Sequence, residues 1–187
     1  MPKDELNRIS ADCPIDCGLA LDFLQFLFPR DRATGHYQVS STNIVGEALT
    51  YLAYPVLMPA EVVPAEGQTI CSFDLPLVRA LDGCRNKWMQ YPATAVPRIN
   101  HLLQGCFELD FYRYYLKGLQ YGYEKQEIVE SYVLSRNLTT GEPFDTLHKR
   151  VYRQELALMK KKSALLLRKA KYFFDEQDST LLDPRKQ

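Results

Sequence analysis

The residues best suited to chemistry lie toward the C-terminal end. Between Asp145 and Phe174, in DTLHKRVYRQELALMKKKSALLLRKAKYFF, nine lysines and arginines stand against two acids. Such a density of cations suits phosphates, carboxylates or an acidic protein face. The charges are ordered. At seven-residue spacing, Tyr152, Met159, Leu166 and Phe173 form one column. Val151, Leu158, Leu165 and Tyr172 form a second, and Leu156, Ser163 and Ala170 a third. The opposite columns hold Arg153 and Lys160, then Gln154, Lys161 and Arg168, then Glu155, Lys162 and Lys169. This spacing predicts one continuous amphipathic helix, roughly 45 Å long at the usual rise per residue. Its candidate interaction surface is Lys149, Arg150, Arg153, Lys160, Lys161, Lys162, Arg168, Lys169 and Lys171.

A second group carries aromatic chemistry. Tyr112, Tyr114, Tyr115, Tyr121, Tyr123 and Tyr132 crowd one third of the chain, beside Arg113 and Lys117. Interleaved aromatics and bases stack nucleobases or anchor protein interfaces, and core packing between two helices is the commoner use. Tyr112, Arg113 and Tyr115 join the basic residues as interface candidates.

Other constellations are thin. Cys13 and Cys17 (CPIDC) have a permitted zinc spacing, but no second ligand pair follows, and a structural zinc needs four. His36, His101 and His148 fall in three separate segments. No phosphate-binding glycine loop, dinucleotide fingerprint, zinc-protease or nucleophile-elbow motif occurs. The expectation is therefore a non-enzymatic chain without cofactor or metal. A helix-turn-helix reader needs a tight turn before its recognition helix. Here the nine residues Arg136–Phe144 intervene, which is too long.

The elements that must carry these residues read as helices. Helices are predicted over Ile15–Phe28, Asn43–Tyr54 (capped by Thr42), the run from an Asp74 cap to Tyr91, Arg98–Tyr121 with Gly122 ending it, and Glu124–Leu134. Gln68–Phe73 alternates as one short strand, and His36–Val39 as another. The fold class expected is all-α: a single compact bundle of five to six helices with at most one small β-hairpin. Residues 1–144 would form the helical body, and 145–187 a basic helix with an acidic-polar tail packed on it or projecting from it.

Charge divides along the same line. Residues 1–144 hold twelve basic and seventeen acidic side chains, so the neutral total hides an acidic body and a basic arm. The start MPKDELNRISADC lacks the apolar run of a secretory signal, and five cysteines without dense spacing suit a reducing compartment. A cytoplasmic location is expected. The functional expectation is an assembly or adaptor subunit that binds a larger protein complex or its own copies. The competing expectation is a DNA- or RNA-binding regulator using the basic helix. A membrane surface fits least, because that helix lacks tryptophan.

Overall fold

The computed structural model describes residues 9–58, 60–76, 83–84, 88–153 and 156–170, with backbone alone at 168–170. Its order is β1 (Ile9–Asp16), α1 (Leu19–Leu27), β2 (Tyr37–Gln38), α2 (Ile44–Tyr51), β3 (Tyr54–Val56), β4 (Gln68–Leu75) and β5 (Trp88–Gln90). Then come α3 (Ala95–Gln120), α4 (Lys125–Ser135), α5 (Pro143–Arg153) and α6 (Leu156–Ala170). The all-α expectation is wrong. Six helices share the described residues with five strands in two sheets, so the fold is mixed α/β.

The chain divides into two units. The first comprises Met1–Gln104 with Arg136–Gly141, the second Gly105–Ser135 with Glu142–Gln187.

In the first unit, three strands run in the order β1-β4-β2. β1 and β4 are antiparallel over their full length, from Ile9 opposite Leu75 to Asp16 opposite Gln68. β2 adds a short parallel edge, with Tyr37 opposite Phe73. β3 and β5 form a separate antiparallel pair. β1 was missed because Pro14 and two aspartates argue against a strand. Its core face is nonetheless periodic: Ile9, Ala11, Cys13 and Ile15 alternate and are all buried. Proline is admissible because β1 is an edge strand, where a missing donor can face away from the ladder.

That free edge of β1 is closed by one side chain. Asn100, on the first turns of α3 and 7% exposed, donates from Nδ2 to the Pro14 carbonyl at 3.0 Å. Its Oδ1 accepts the Asp16 N–H at 3.0 Å. A primary amide carries one donor group and one acceptor at the spacing of a peptide unit, so Asn100 stands in for a neighbouring strand. A further Nδ2 contact to the Val96 carbonyl at 3.2 Å holds the amide against its own helix.

Asp22 does comparable work at the other side of α1. Buried to 4% exposure, it accepts the Thr139 N–H at 2.7 Å, the Thr140 N–H at 2.6 Å and the Thr140 hydroxyl at 2.8 Å. A carboxylate so surrounded repays its desolvation through charge-assisted bonds. α2 is capped by Asn43, whose Oδ1 accepts the Gly46 N–H, and not by Thr42. The helix expected from Asp74 is also corrected. Asp74 and Leu75 end β4, and Trp88–Gln90 is β5, while 77–82 and 85–87 lie outside the described residues.

In the second unit, the core is aromatic. Phe107, Phe111, Tyr112, Tyr115 and Tyr132 are buried to 1% exposure or less. Phe111 meets Tyr132 edge-on, ring centroids 5.0 Å apart, and the Tyr132 hydroxyl donates to Asp110 at 3.0 Å. Gly118 lets α3 and α4 approach, since a Cβ there would stand 2.7 Å from Ile128 Cγ1.

Asn100→Ala would strand the Pro14 carbonyl and the Asp16 N–H. Each unsatisfied buried group costs about 1–3 kcal/mol, so urea unfolding should show a loss of roughly 2–4 kcal/mol. Asn100→Asp should do no better, because it sets a carboxylate oxygen against a carbonyl. A loss within experimental error of zero for Asn100→Ala would remove this account of β1.

Candidate interaction surface

The basic helix is described as α5 and α6, with Gln154 and Glu155 between them outside the described residues. Burial picks out a narrower stripe than the heptad columns suggested. Leu147 and Val151 on α5 and Met159 and Ser163 on α6 face the core. Leu166 lies against α3, 4.0 Å from where a Gly105 Cβ would be. The neighbouring column does not follow: Leu158 and Leu165 remain 44% and 48% exposed, and Leu156 46%. Leu158 and Leu165 are two turns apart on one line, and Lys161 and Lys162, three and four residues from each, flank that line instead of standing opposite it as the heptad columns suggested. The result is a leucine ridge with lysines set into it. α6 has no acidic residue among its fifteen.

The other candidates separate. Lys160 and Lys161 are exposed, Lys162 is half-buried and Arg153 is exposed. Lys149 pairs with Asp145 one turn back, at 3.8 Å, on the surface. Arg150 reaches Glu108 at 3.5 Å, so part of its charge is already answered. Arg168 and Lys169 lie in the α6 backbone without described side chains, and Lys171 lies outside the described residues. Tyr112 and Tyr115, at 1% exposure, are core and not surface, while Arg113 is half-buried on the same helix. The tyrosine crowding there reports packing. Burial also raises the Tyr115 hydroxyl above its usual range, with Tyr152 adding to the effect.

Sequence reasoning did not separate a second surface from that crowd. Tyr114, Lys117, Gly118, Tyr121, Tyr123, Glu127, Ile128 and Ser131 line a half-open groove of about 670 Å³ where α3 meets α4. Tyr121 and Tyr123 stand 69% and 60% exposed on either side of Gly122. Gly122 adopts φ 81°, its N–H bonds the Leu119 carbonyl, and the Tyr123 N–H bonds the Gly118 carbonyl. This is the Schellman closure of a helix end, and it fixes the backbone from which both rings project. The outer face of α4 is acidic. Glu127 caps the helix by accepting the Glu124 N–H at 3.1 Å, and Glu124 and Glu130 are exposed beside it, with Leu134 80% exposed further along. The alternation of acid, tyrosine and Gly122 across 121–130 was the available signal.

The first unit holds the reactive side chains. A cavity of about 380 Å³ is lined in part by Cys17, His101, Asp16, Gln68 and Asn100. Part of its polar wall is occupied structurally: Gln68 donates to Asp16 at 2.8 Å, and Asn100 holds β1, while Cys17 and His101 are exposed. His36 Nδ1 lies 2.8 Å from Asp74 Oδ1, clipping the turn before β2 onto β4. Cys13, Cys71 and Cys84 are buried, whereas Cys17 is exposed and Cys106 half-buried. Cys13 and Cys71 face each other across β1 and β4. Burial pushes the Cys13 thiol up to about 12, with Cys71 and Asp16 adding to it. Burial likewise raises Cys71 and Cys106 to about 11 each. Thiols held protonated are poor nucleophiles and poor metal ligands at neutral pH.

No helix among the described residues is long and apolar enough to cross a membrane. No protein-family model matches the chain, and neither a curated protein nor a solved structure does so.

These thiols make stability fall in alkali. The folded state holds the protons of Cys13, Cys71 and Cys106 more tightly than the unfolded chain, whose thiols titrate at the ordinary 9.0. Their contribution is complete below that value and is lost as pH rises through about 11 to 12. Unfolding midpoints should stay level from neutral pH to about 8.5, then drop. Cys13→Val should flatten part of that drop, and an unchanged profile would contradict the assignment. At neutral pH one thiol, Cys17, should react quickly with a disulfide reagent, and Cys17→Ser should abolish that fast phase.

Proposed function

We propose that the protein is a non-enzymatic assembly or adaptor subunit that acts in the cytoplasm and docks an acidic protein surface on α6. The observation that carries this reading is the leucine ridge itself. Leu158 and Leu165 are left about half exposed, as is Leu156, in a helix that turns Met159 into the core. Covering the exposed half of each leucine contributes roughly 1 kcal/mol. The lysines between them then select the partner by charge and speed its approach.

The competing reading is a nucleic-acid arm, favoured by the absence of acids from α6. A phosphate backbone has no use for leucines on the contact line, since phosphate contacts are made by cations and hydrogen-bond donors. The mixed character of the ridge therefore favours protein. Enzymatic chemistry has less support, since burial holds the Cys13, Cys71 and Cys106 thiols protonated and Asp16, Gln68 and Asn100 of the first unit's cavity are engaged structurally.

A designed acidic amphipathic peptide, with leucines seven apart and glutamates between, is the direct probe. It should bind the full chain, and Leu158→Ser with Leu165→Ser should weaken binding at least about tenfold. Duplex DNA titrated at several salt concentrations should bind more weakly than the peptide. Tighter duplex binding with a steep salt slope, indifferent to the leucine substitutions, would overturn the protein reading in favour of nucleic acid.

A further inference from the structure

The second unit carries both halves of a complementary pair. One half is the α6 ridge, apolar at Leu158 and Leu165 and positive at Lys161 and Lys162. The other is the α3–α4 groove, lined by Tyr114, Tyr121, Tyr123, Ile128 and the acid Glu127, with Glu124 and Glu130 exposed nearby along the chain. Leu158 to Leu165 spans seven residues, roughly 10 Å, and the exposed face of α4 runs a like distance from Glu127, in the groove, to Leu134 beyond it. The two match in chemistry: leucines meet tyrosine faces, and lysines meet glutamates. One cation, Lys117, lies within the groove, with its ammonium 5.9 Å from the Tyr121 ring centre.

We infer that the partner for α6 is a second copy of this chain, whose α3–α4 groove receives the Leu158–Leu165 ridge. This rests on the reading of α6 as a docking helix and names its occupant. The mode is helix-in-groove recognition, in which residues at i, i+3, i+4 and i+7 anchor an amphipathic helix in an apolar trough. The chain's formal charge of zero means that copies do not repel one another as a whole, so local complementarity decides their approach. A contact two turns long is small beside the roughly 1,200 Å² of a stable specific interface. Association is therefore weak, reversible and dependent on concentration. The backbone of the groove is preformed: Gly118 sets the helix approach, and the Schellman turn holds the chain at Tyr121 and Tyr123, so no backbone ordering is needed on docking.

The test uses two full-length charge-reversal variants. One is Lys161→Glu with Lys162→Glu, on the ridge. The other is Glu130→Lys with Leu134→Lys, on the outer face of α4, which spares Glu127 because its carboxylate caps that helix. Circular dichroism checks that both keep their helical content. Sedimentation equilibrium up to about 1 mM should show wild-type chain self-associating, and more weakly as salt rises. Each variant alone should associate at least about tenfold more weakly. An equimolar mixture should recover association, because the unaltered ridge of the second variant meets the unaltered groove of the first. A wild-type chain that stays monomeric throughout, or a mixture no stronger than its components, overturns the inference. The acidic-peptide titration separates the two levels. If the peptide still binds α6 through the leucines, only the second copy falls as occupant, and if it does not, the docking reading falls with it.

Discussion

An edge strand that contains a proline survives here because a side-chain amide replaces the missing neighbour. Pro14 cannot donate, and β1 has a partner on one side alone, so its outward carbonyl and the Asp16 N–H need satisfaction from elsewhere. Asn100 meets both from α3. The contact couples the register of β1 to the start of the longest helix, and β1 in turn pairs along the whole of β4. Cys13, Ile15, Phe73 and Leu75 are aligned as a buried layer by that pairing. Two hydrogen bonds thus hold an arrangement that backbone propensity alone would not choose, and few other residues can supply donor and acceptor at that separation.

The second unit solves a different problem. Its core is built from large rings, and rings demand close backbone approach somewhere to fill space between them. Gly118 provides it at α3 and α4, and Tyr132 satisfies its hydroxyl on Asp110 without leaving the core. With Leu147, Val151 and Met159 added from α5 and α6, the apolar demand of this core is met. Leu158, Leu165 and Leu156 are surplus to it. Apolar residues scattered singly on a surface need no explanation. Two on one line, with lysines between them and no acid on the helix, are a different matter.

Helical segments were largely legible from their length and the prolines and glycines that bound them. Arg98–Tyr121 and Glu124–Leu134 differ from α3 and α4 by a few residues at their ends, and Gly122 closes α3 as its position suggested. Of the main sheet, β4 and the short β2 were legible in Gln68–Phe73 and His36–Val39, but β1 was not, and the reason is specific. Ile9, Ala11, Cys13 and Ile15 alternate, but the Pro14 that breaks the pattern is tolerated only through a side chain 86 residues away. Asp74 looked like a helix cap since aspartate usually is one, whereas here His36 holds its carboxylate at the end of β4. Of the candidate surface, the lysines of α6 were readable as exposed. The fates of Tyr112 and Tyr115 were not, because i and i+3 on a helix also point to a core, and only the packing of Phe111 and Tyr132 decides between them.

The central claim is that α6 is a contact surface and not a solvated flank of the core. Backbone hydrogen exchange, followed residue by residue on dilute and concentrated full-length protein, tests it most directly. The account predicts that protection rises with concentration in α6 and α4 together, while β1 and β4 exchange at unchanged rates. Exchange in α6 that is independent of concentration, or protection that rises equally throughout the chain, would contradict it.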